Sequence, residues 1–415
     1  MILFYDIIFI MQKYSQLFGK TNKGSKEFDS LNATLLQKAG FISQEMSGVY
    51  LFLPLGKKVL DKIENIIRDE MLKISQEVIL SNLSSKDKWE KTERINIDIL
   101  LKAIGANKDS FNRNDTEYIL NPSHEEVITP LAKEMNVSYK DFPFALFQIQ
   151  TKFRNEARSK SGLLRGREFR MKDLYSFHTS EKDLKNYYEK VKISYFNIFE
   201  KLGLKDYTII AKASGGDFTN NFSEEFQILC ENGEDTIYFD EKNDIYYNKE
   251  IAPQNILHNG KKASEAGNIF ILKDKYTKIF DYKFKDKSNE ENYVYMGCYG
   301  IGTTRVMGII AEIFNDDKGL IWPESISPYD IHLIGNNDSQ TRKIIKIIEE
   351  NKLSVLWDER ENIGIGEKLK DADLIGIPKR IIISERSLEN GGVEIKRRNE
   401  ELGKIVEISD LANYL

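Results

Sequence analysis

The segment from Phe153 to His178, FRNEARSKSGLLRGREFRMKDLYSFH, carries the residues with the clearest potential for chemistry. Its pattern predicts two strands joined by a polar, cationic loop, with alternate side chains on one face of a sheet. On such a face Arg154 can fork onto a phosphate, Glu156 can accept a hydrogen bond from an adenine amino group, and Phe169 can stack on the base. A nucleotide site is one interpretation of the segment, and an amphipathic hairpin with surface ion pairs is the other.

A second candidate is the glycine-rich run that begins at Gly297, GCYGIGTTRVMG. Its glycines can let the backbone approach a ligand closely, and the helix predicted to begin at Thr303 would present its N-terminus to an anion. The alternative is a strand-to-helix turn that packs without any ligand, which is the commoner case. The run alone does not distinguish the two.

The composition is that of a globular chain rather than a disordered one. At 415 residues the chain has room for two or three domains, and 41% of its residues are hydrophobic and 30% charged. Cys230 and Cys298 are its two cysteines, too few for a disulfide framework, which favours a reducing cytoplasm. Its four histidines form no Cys/His cluster at zinc-finger spacing, which argues against a structural zinc site.

The net charge of −5 does not favour nucleic-acid binding by the molecule as a whole, so a nucleic-acid partner would depend on local patches. One candidate is a basic run near the C-terminus, for which an ordinary solvated face is the alternative. The run consists of Lys379, Arg380, Arg386, Lys396, Arg397 and Arg398.

The first ten residues, MILFYDIIFI, are apolar but too short to span a bilayer, and Asp6 interrupts them. They lack the basic flank and the small-residue cleavage site of a signal peptide. We interpret residues 1–10 as an upstream extension and expect translation to start at Met11.

Hydrophobic periodicity predicts the elements that must position the candidate residues. Residues 56–74 place apolar side chains at helical spacing, which predicts a long amphipathic helix leading into a strand. Hairpin-type strand pairs through residues 115–230 predict an antiparallel sheet with helices packed against it, and residues 231–290 are expected to form a small β excursion. After a boundary marked by Pro323 and Pro328, strands and helices alternate, which predicts a small α/β domain with a mainly parallel or mixed sheet.

The spelling of these segments resembles one family. Arg-x-Glu from Arg154, followed after the loop by Arg-x-x-x-Phe-x-x-x-Asp from Arg165, resembles motif 2 of the class II aminoacyl-tRNA synthetases. The words QIQTKFRNEAR and LLRGREFRMKDLYSFH are similar to those of bacterial-type prolyl-tRNA synthetases, and other segments agree in order. These are YSQLFGKT, LLQKAGFISQEMSGVYLFLPLGKKVL, YILNPSHEEVITPL, GCYGIGTTRVMG, GLIWPESISPYDIHLI and WDERENIGIGEKLKDADLIGIPKRIIISER. The likeness runs from about Met11 to Leu415.

The resemblance implies an α+β catalytic domain on an antiparallel sheet over residues 11–326, followed by a small α/β anticodon-binding domain over residues 327–415. It implies a proline-specific ligase that activates L-proline with ATP to prolyl-adenylate and transfers proline to the 3′ end of tRNA(Pro), releasing AMP and pyrophosphate. A cytoplasmic homodimer is expected, with neither membrane nor DNA as a partner. Mg²⁺ is expected to bridge the ATP phosphates mostly through water and phosphate oxygens, so no protein ligand to a metal is assigned.

The family's motifs imply an ATP site at seven positions of this chain. They are Arg154, Glu156, Arg165, Phe169, Gln227, Thr303 and Arg305. Arg154 and Arg305 are the implied catalytic residues: Arg154 grips the α-phosphate and the substrate carboxylate, and Arg305 lies over adenine and meets the γ-phosphate. Glu156 would read adenine, Phe169 would stack on it, and Arg165 would reach the phosphates from the loop.

The implied proline site consists of Ser123, Glu125, Arg154 and His178. Glu125 would offer its carboxylate to the secondary ammonium group of proline. Ser123 stands where the family has threonine, and Ser followed by Glu-Glu before an apolar run is also a helix N-cap signature, so both roles can hold.

Two further positions depart from the family's pattern. Ser81 replaces a proline in motif 1, the segment that builds the dimer interface in class II synthetases. Glu224 replaces a histidine that lies near the proline, where Asp217 and Gln227 could supply polar contacts instead.

The implied anticodon contacts lie along one edge of the C-terminal domain, where acidic groups would accept hydrogen bonds from base amino or imino groups. They are Asp358, Glu359, Arg360, Lys368, Asp371 and Asp373. A separate expectation concerns proofreading. Only about 120 residues separate His178 from Gly297, too few for the editing domain that long bacterial relatives carry in that interval, so we expect no hydrolysis of alanyl-tRNA(Pro) by this chain.

Two alternative functions stay open at this point. One is another class II synthetase, of the threonyl, glycyl or histidyl kind, against which the spellings YSFH, PSHEE and DADLIGIP speak. The other is a catalytically inactive, synthetase-like protein that binds RNA. Such proteins typically lose the ATP arginines, whereas Arg154, Arg165 and Arg305 are all present.

Overall fold

The structure is a computed structural model. It describes residues 10–22, 24, 27–113, 117–135, 138–157, 159, 161–216 and 222–415. Residues 1–9 of the predicted upstream extension and Asp217 of the predicted proline pocket lie outside the described residues.

The chain divides into two compact units. The first, here called the terminal unit, combines the described residues up to Gln44 and Leu51–Lys62 with Ile310–Leu415. The second, the central unit, consists of Glu45–Tyr50 and Ile63–Ile309. Residues near the N-terminus therefore group with the C-terminal residues. The functional domain bounds expected from the sequence stay predictions.

A nine-stranded sheet forms the centre of the central unit. In order across the sheet, its strands are Ser223–Leu229, Thr208–Ala213, Ile245–Asn248, Asp235–Asp240, Lys261–Lys273, Tyr295–Gly302, Glu168–His178, Phe144–Phe153 and Gln76–Glu77. Two pairings are parallel and the rest antiparallel, so the predicted antiparallel sheet is confirmed. Residues 231–290, predicted to be a small β excursion, contribute three of these strands to the main sheet, because strand partners are set by cross-strand packing that no segment specifies alone.

Alternation divides the side chains of the central strands between two faces, here called front and back. On the front face, Tyr175 and Phe177 pack in a core with Ile128 of the helix Glu125–Met135. On the back face, Lys172 donates a hydrogen bond of 2.5 Å to Tyr195 of another helix. Each face is thus covered by a different helix, and residues two apart on a strand share a face.

The other described elements are helices and small sheets. The helices are Leu31–Lys38, Pro54–Met71, Lys86–Lys91, Lys108–Arg113, Glu125–Met135, Glu181–Lys201, Lys275–Ile279, Thr303–Ile313, Ser339–Glu350, Ile365–Ile375 and Glu385–Glu389. Small sheets pair Ile42–Met46 with Val49–Phe52, Lys283–Lys285 with Glu291–Tyr293, Asn315–Asp316 with Gly319–Leu320, and Tyr118–Leu120 with both Leu83–Ser85 and Leu101–Ala103. Of the helices in the described part of the chain, none is long and apolar enough to cross a membrane.

Local sequence accounts for where the back-face helix Glu181–Lys201 begins and ends. The Ser180 side chain accepts a hydrogen bond from the Asp183 backbone N–H at 3.2 Å, an N-cap that satisfies one of the free donors of the first turn. Gly203 follows the last turn with φ of 78°, a conformation that glycine adopts at little cost.

The terminal unit contains a mixed six-stranded sheet, as the alternating pattern predicts. In order, its strands are Met11–Lys13, Val355–Asp358, Ile331–Ile334, Lys379–Ile382, Val393–Arg397 and Lys404–Val406. The first four run parallel and the last two join antiparallel. The core includes Ile331, Trp357 and Ile344 of the helix Ser339–Glu350. The edge strand Met11–Lys13 comes from the other end of the chain.

His332 introduces a buried imidazole into this sheet. It is 0% exposed, and neither ring nitrogen has a hydrogen-bond partner in the described structure. Burial, and then the charge of Arg380, lower the pKa of His332 to about 3. An unfolded histidine takes up a proton near its ordinary pKa of about 6.5, whereas the imidazole of His332 is still neutral at that pH in the folded protein.

We predict that His332→Leu stabilises the protein against acid. Since the folded-state pKa lies below the unfolded value, stability is fully present above about pH 6.5 and falls as the pH drops towards the folded value. The free energy of unfolding of the unmodified protein should lose about 2 kcal/mol between pH 6.5 and 5 through this residue. Urea unfolding at both pH values should show a loss that is about 2 kcal/mol smaller in His332→Leu than in the parent, since the other buried imidazoles, such as that of His124, remain. His258→Leu, at an exposed site, should behave like the parent.

Candidate active site

The antiparallel pairing of Phe144–Phe153 with Glu168–His178 brings the predicted nucleotide residues together on the front face. Lys152 pairs with Phe169, and Arg154 follows two residues later. The Arg154 guanidinium lies over the Phe169 ring, 5.1 Å from its centroid. The side chains predicted to hold a phosphate and a base are therefore neighbours.

Arg154 carries a charge that its surroundings do not balance. Its Nε is buried without a hydrogen-bond partner among the described residues, and its Nη2 is 3.5 Å from the Pro122 carbonyl oxygen. Burial, and then the charge of Arg305, lower the pKa of Arg154. A buried donor held beside a second guanidinium is an arrangement that an anion would stabilise.

Arg305 is held by three hydrogen bonds. Its Nε donates to the Leu164 carbonyl oxygen at 2.7 Å, and its Nη1 donates to the Glu265 carbonyl oxygen at 2.7 Å and to the Glu265 carboxylate at 3.2 Å. The helix Thr303–Ile313, predicted to begin at Thr303, begins there and projects this side chain from its first turn. The geometry preorganises Arg305 before any ligand arrives.

Glu156 is engaged by Arg165 across the loop. Arg165 Nε donates to Glu156 Oε2 at 2.7 Å, and Glu156 is 8% exposed. An adenine amino group directed at this carboxylate would share or replace the hydrogen bond from Arg165. The release of Arg165 would leave its guanidinium able to reach a phosphate.

The two remaining predicted ATP residues are fully buried. Gln227 Nε2 donates to the carboxylates of Glu225 and Asp235, each at 2.8 Å. Thr303 Oγ1 donates to Glu64 at 3.0 Å, and the same carboxylate accepts two hydrogen bonds from Arg170 at 2.6 and 2.9 Å. Gln227 thus orients acidic groups, while Thr303 fixes the start of its helix.

Glu225 and Glu265 are carboxylates that the sequence analysis did not single out. Burial, and then the charge of Glu265, raise the pKa of Glu225 to about 8, and Glu225 also accepts a hydrogen bond of 3.1 Å from Asn248. The negative charge of Glu225, which burial and Glu265 disfavour, would be stabilised by a cation bound beside it. Among the described residues, no group of three or more His, Cys, Asp or Glu side chains is placed to hold a metal by itself. The adjacent glutamates Glu224 and Glu225 were a signal in the sequence. The alternation of side chains along the strand was needed to identify Glu225 as the one on the front face.

The predicted proline residues are organised by a buried arginine that the sequence analysis missed. Arg94 Nη2 donates to the Ser123 hydroxyl at 3.1 Å, and Arg94 Nη1 lies 3.3 Å from Glu125 and 2.9 Å from Glu126. Cys298 Sγ donates to the other oxygen of Glu125 at 3.2 Å. Both glutamates are 0% exposed, so two buried carboxylates share one guanidinium. No motif surrounds Arg94, and only its long-range contacts identify it.

A buried network supports the Ser123–Glu125 segment from behind. His124 Nε2 lies 3.0 Å from the Ser81 carbonyl oxygen, and His124 Nδ1 lies 2.7 Å from Lys152 Nζ. Lys152 is paired with Asp173 at 2.7 Å. Burial, and then the charge of Lys152, lower the pKa of His124 to about 4, so the imidazole is neutral at physiological pH. The contact with Ser81 uses the backbone, so the serine in place of proline does not itself create it.

His178 and Glu224 lie on the back face. His178 Nδ1 lies 2.6 Å from Asp183 Oδ2, and its ring packs against Tyr187 of the back-face helix. Glu224 accepts a hydrogen bond from Tyr188 at 2.9 Å. Because residues an odd number of positions apart on one strand point to opposite faces, His178 is separated from the front-face residues Asp173 and Tyr175. The structure therefore does not bring His178 to Glu125, and its position does not support the predicted role in the proline site.

In the terminal unit, four of the six predicted anticodon residues lie in one cluster. Arg360 Nε donates to Asp358 at 2.8 Å, and Arg360 Nη2 donates to Asp358 at 2.6 Å and to Asp371 at 2.8 Å. Lys368 Nζ lies 3.4 Å from the Asp358 carbonyl oxygen. Glu359 adjoins them at the strand end. Asp358, Lys368 and Asp371 are all buried.

Asp373 belongs to a different cluster. It pairs with Arg380 at 2.5 Å, and its carbonyl oxygen accepts a hydrogen bond from Arg398 at 3.0 Å. Arg398 also pairs with Asp316 at 2.6 Å. Since Arg380 and Arg398 are buried in these ion pairs, the basic run considered in the sequence analysis is not a continuous solvated surface.

We predict that Arg94→Met destabilises the central unit by about 3–5 kcal/mol, because it leaves Glu125 and Glu126 buried without a cation. Urea denaturation at pH 7.5 measures the loss. Arg113→Met removes an exposed arginine of the same unit and should leave the free energy of unfolding within about 0.5 kcal/mol of the parent. Equal stability of Arg94→Met and the parent would contradict this account of the buried charges.

Comparison with protein families gives two matches. Residues 107–314 match the class II core domain of the tRNA synthetases for G, H, P, S and T, and residues 330–415 match an anticodon-binding domain. The fold is similar to that of a prolyl-tRNA synthetase from Giardia lamblia solved with prolyl-adenylate, with a TM-score of 0.77 at 20% identity over 92% of this chain and 75% of that one. It is also similar to the Cryptosporidium parvum enzyme solved with L-proline and AMP, with a TM-score of 0.75 at 17% identity over 92% of this chain and 76% of that one.

Two relatives of known name are closer in sequence. A proline--tRNA ligase of Wolbachia sp. subsp. Drosophila simulans is 37% identical over 91% of this chain and 93% of that protein. A proline--tRNA ligase of Agrobacterium fabrum is 33% identical over 94% of this chain and 96% of that protein. With the class II core, the anticodon-binding domain and this similarity along nearly the whole sequence, the chain belongs to the prolyl-tRNA synthetase family of class II aminoacyl-tRNA synthetases, in a form whose length fits the absence of the editing insertion.

Proposed function

We propose that this chain is a proline–tRNA ligase that makes prolyl-adenylate from L-proline and ATP and transfers the prolyl group to the 3′ end of tRNA(Pro). The observation that carries the proposal is a charge pattern on the front face of the central sheet. A pair of guanidinium groups, Arg154 and the preorganised Arg305, lies on the same face as a pair of buried carboxylates, Glu125 and Glu126. The first pair matches a polyphosphate, and the second matches an amino acid's ammonium group.

The first step is attack of a proline carboxylate oxygen on the α-phosphorus of ATP. The new bond joins that oxygen to phosphorus, the bond from phosphorus to the bridging oxygen breaks, and pyrophosphate leaves with the electron pair. The protein contributes alignment of two anions and neutralisation of the charge that grows on the phosphorus oxygens. Arg154, with its unpartnered buried Nε, is the group we assign to both tasks.

The proline ammonium completes the charge balance of the buried acidic pair. Glu125 and Glu126 are two buried carboxyl groups that share the single positive charge of Arg94. Burial raises the pKa of Glu126, with a smaller contribution from the charge of Glu125, even though Arg94 opposes the shift. An ammonium group that donates to Glu125 would supply the missing charge, and Ser123, held by Arg94, would line the ring.

Adenine recognition is assigned to Glu156 and Phe169. Phe169 presents its ring beside Arg154, where a stacked base would leave its ribose-linked phosphates next to the guanidinium. Glu156 would exchange its hydrogen bond from Arg165 for one from the adenine amino group, and Arg165 would turn to the phosphates. Gln227 is assigned an indirect part, the orientation of Glu225.

Mg²⁺ fits the same face through Glu225 and Glu265. Hard oxygen ligands, one or two carboxylates together with substrate phosphates, are what Mg²⁺ prefers. A bound Mg²⁺ would neutralise phosphate charge and would remove the repulsion that raises the pKa of Glu225. These two residues would hold it in company with ATP.

A homodimer is proposed from the edge of the central sheet. The edge strand Gln76–Glu77 borders an apolar groove of about 450 Å³ lined in part by Val78, Met135 and Phe144. Ile79, next to it, is 89% exposed. An unpaired strand edge flanked by exposed apolar side chains is a surface that a second copy can cover.

In the second step, a hydroxyl of the terminal tRNA adenosine attacks the carbonyl carbon of prolyl-adenylate, and AMP leaves. Recognition of tRNA(Pro) is assigned to the anticodon-binding domain, and the cytoplasm is the proposed location. Hydrolysis of alanyl-tRNA(Pro) is not part of the proposed activity.

Proline-dependent ATP–pyrophosphate exchange tests the first step. The parent should exchange with proline in preference to threonine, glycine, histidine and alanine. Arg154→Ala should reduce the exchange rate about 10²–10³-fold, since it removes a donor to charge developing in the transition state. Arg113→Ala, at an exposed arginine, should match the parent. Exchange with a different amino acid would overturn the proline assignment, and exchange with none would favour a non-catalytic RNA-binding role.

The magnesium assignment predicts a shifted cation requirement. Glu225→Gln removes one carboxylate ligand, so the Mg²⁺ concentration for half-maximal exchange should rise about tenfold. This is the affinity that one ligand is expected to contribute at a weak site. Titration of Mg²⁺ at fixed ATP measures the shift. Glu231→Gln, at an exposed glutamate, is the matched control and should leave the midpoint where it is.

The dimer assignment predicts that Ile79→Asp dissociates the protein. A charge placed in an apolar interface is left desolvated and unpaired, which costs several kcal/mol. Sedimentation velocity at micromolar protein should show the parent at twice the monomer mass and Ile79→Asp at the monomer mass. Ile193→Asp, on the exposed face of another helix, should stay dimeric. A monomeric parent would overturn the assignment.

A further inference from the structure

Residues 11–21 join the terminal unit at the cluster assigned to the anticodon. The strand Met11–Lys13 pairs in parallel with Val355–Asp358, in the register Met11 to Val355 and Lys13 to Trp357. Because the two strands run in the same direction, the residues that follow Lys13 lie at the carboxyl end of Val355–Asp358. That end of a parallel strand, where Glu359 and Arg360 follow, is the usual location of ligand-binding groups in open α/β sheets.

The ring of Tyr14 packs against the guanidinium group of Arg360. Tyr14 is 0% exposed, and the Arg360 guanidinium carbon lies 4.0 Å from the centroid of its ring. Contact of this kind between a guanidinium and an aromatic face is attractive and restrains the position of the guanidinium.

Thr21 closes the other side of the cluster. Its Oγ1 donates to Asp371 Oδ1 at 2.9 Å and lies 2.8 Å from the Tyr14 hydroxyl. Asp371 in turn accepts from Arg360. Ser15 hydrogen-bonds to Glu359 through its hydroxyl and its backbone N–H. Three of the residues assigned to the anticodon are thus held by side chains from the first described segment of the chain.

Arg360 retains one donor group for a ligand. Its Nε and Nη2 are used by Asp358 and Asp371, while Nη1 has no hydrogen-bond partner among the described residues. The side chain is 15% exposed, so the free end of the guanidinium reaches solvent. A guanidinium fixed on three sides with one end open can donate to an acceptor on the edge of an unpaired RNA base.

We propose that residues 11–21 are part of the tRNA-reading edge of the terminal unit, with Tyr14 and Thr21 as positioning residues for Arg360. The inference rests on the proposed function, since it takes the anticodon loop of tRNA(Pro) as the ligand. Arg360 makes the base contact, and the N-terminal segment sets the orientation of its guanidinium. This division gives the segment a part in anticodon discrimination that is separate from adenylate formation.

The test compares aminoacylation of two tRNA(Pro) transcripts, one with its own anticodon and one with the anticodon replaced. For Tyr14→Leu, KM for the native transcript should rise about tenfold, the effect of losing a desolvated cation–π contact, while kcat is retained. KM for the replaced anticodon should not change, so discrimination between the transcripts falls. Tyr14→Phe keeps the ring and should restore most of the discrimination. Thr21→Val, which removes only the hydroxyl, should give an intermediate rise.

Gln16→Ala, at an exposed position of the same segment, is the matched control and should behave as the parent does. An equal rise in KM for both transcripts with Tyr14→Leu, or a lower melting temperature with unchanged discrimination, would overturn the inference and leave the segment a packing role. Proline-dependent exchange separates this from the proposed function. Normal exchange with unchanged discrimination would overturn this inference alone, whereas no exchange in the parent would overturn both.

Discussion

The register between Phe144–Phe153 and Glu168–His178 is the constraint on which the candidate active site depends. Opposite residues on paired strands share a face, so the pairing of Gln148 with Asp173 and of Lys152 with Phe169 places all four on the front face. A shift of Glu168–His178 by one residue would send Phe169 and Asp173 to the back face and bring Lys172 and Ser176 forward. Hydrophobic packing on both faces holds this register. A shifted strand would turn Tyr175 and Phe177 away from the helix Glu125–Met135 and towards the back-face helix.

Buried charge gives the front face its capacity for chemistry. Lys152 and Asp173 balance each other, so this pair serves as a support. Other groups are left in excess: Arg154 has a buried nitrogen without a partner, Glu125 and Glu126 share one arginine, and Glu225 is next to Glu265. An excess of charge that is expensive in the empty protein becomes favourable when a ligand of opposite charge binds, since the desolvation has already taken place. Folding and ligand binding are linked in this way.

The departures from the family's pattern differ in their structural consequences. Ser81 contributes its carbonyl oxygen to His124, a contact that does not depend on the side chain. Ser123 presents a hydroxyl that Arg94 holds, so the loss of a threonine methyl changes the packing of the ring rather than the polar contact. Glu224 points to the back face and pairs with Lys192 at 2.6 Å, so this replacement affects the support of the sheet.

The sequence by itself determined the family, the fold class and the start of the helix at Thr303, and it supplied the candidate residues of the nucleotide site, because these depend on local periodicity and on motifs that are contiguous in the chain. It did not determine that Arg94 holds Ser123 and Glu125, that His178 is on the back face, or that Met11–Lys13 joins the sheet of the terminal unit. Those facts depend on which segments pair and in what register, and pairing is decided by burial and charge balance summed over residues far apart in the chain. The tertiary structure therefore decided which of the candidate residues share a surface.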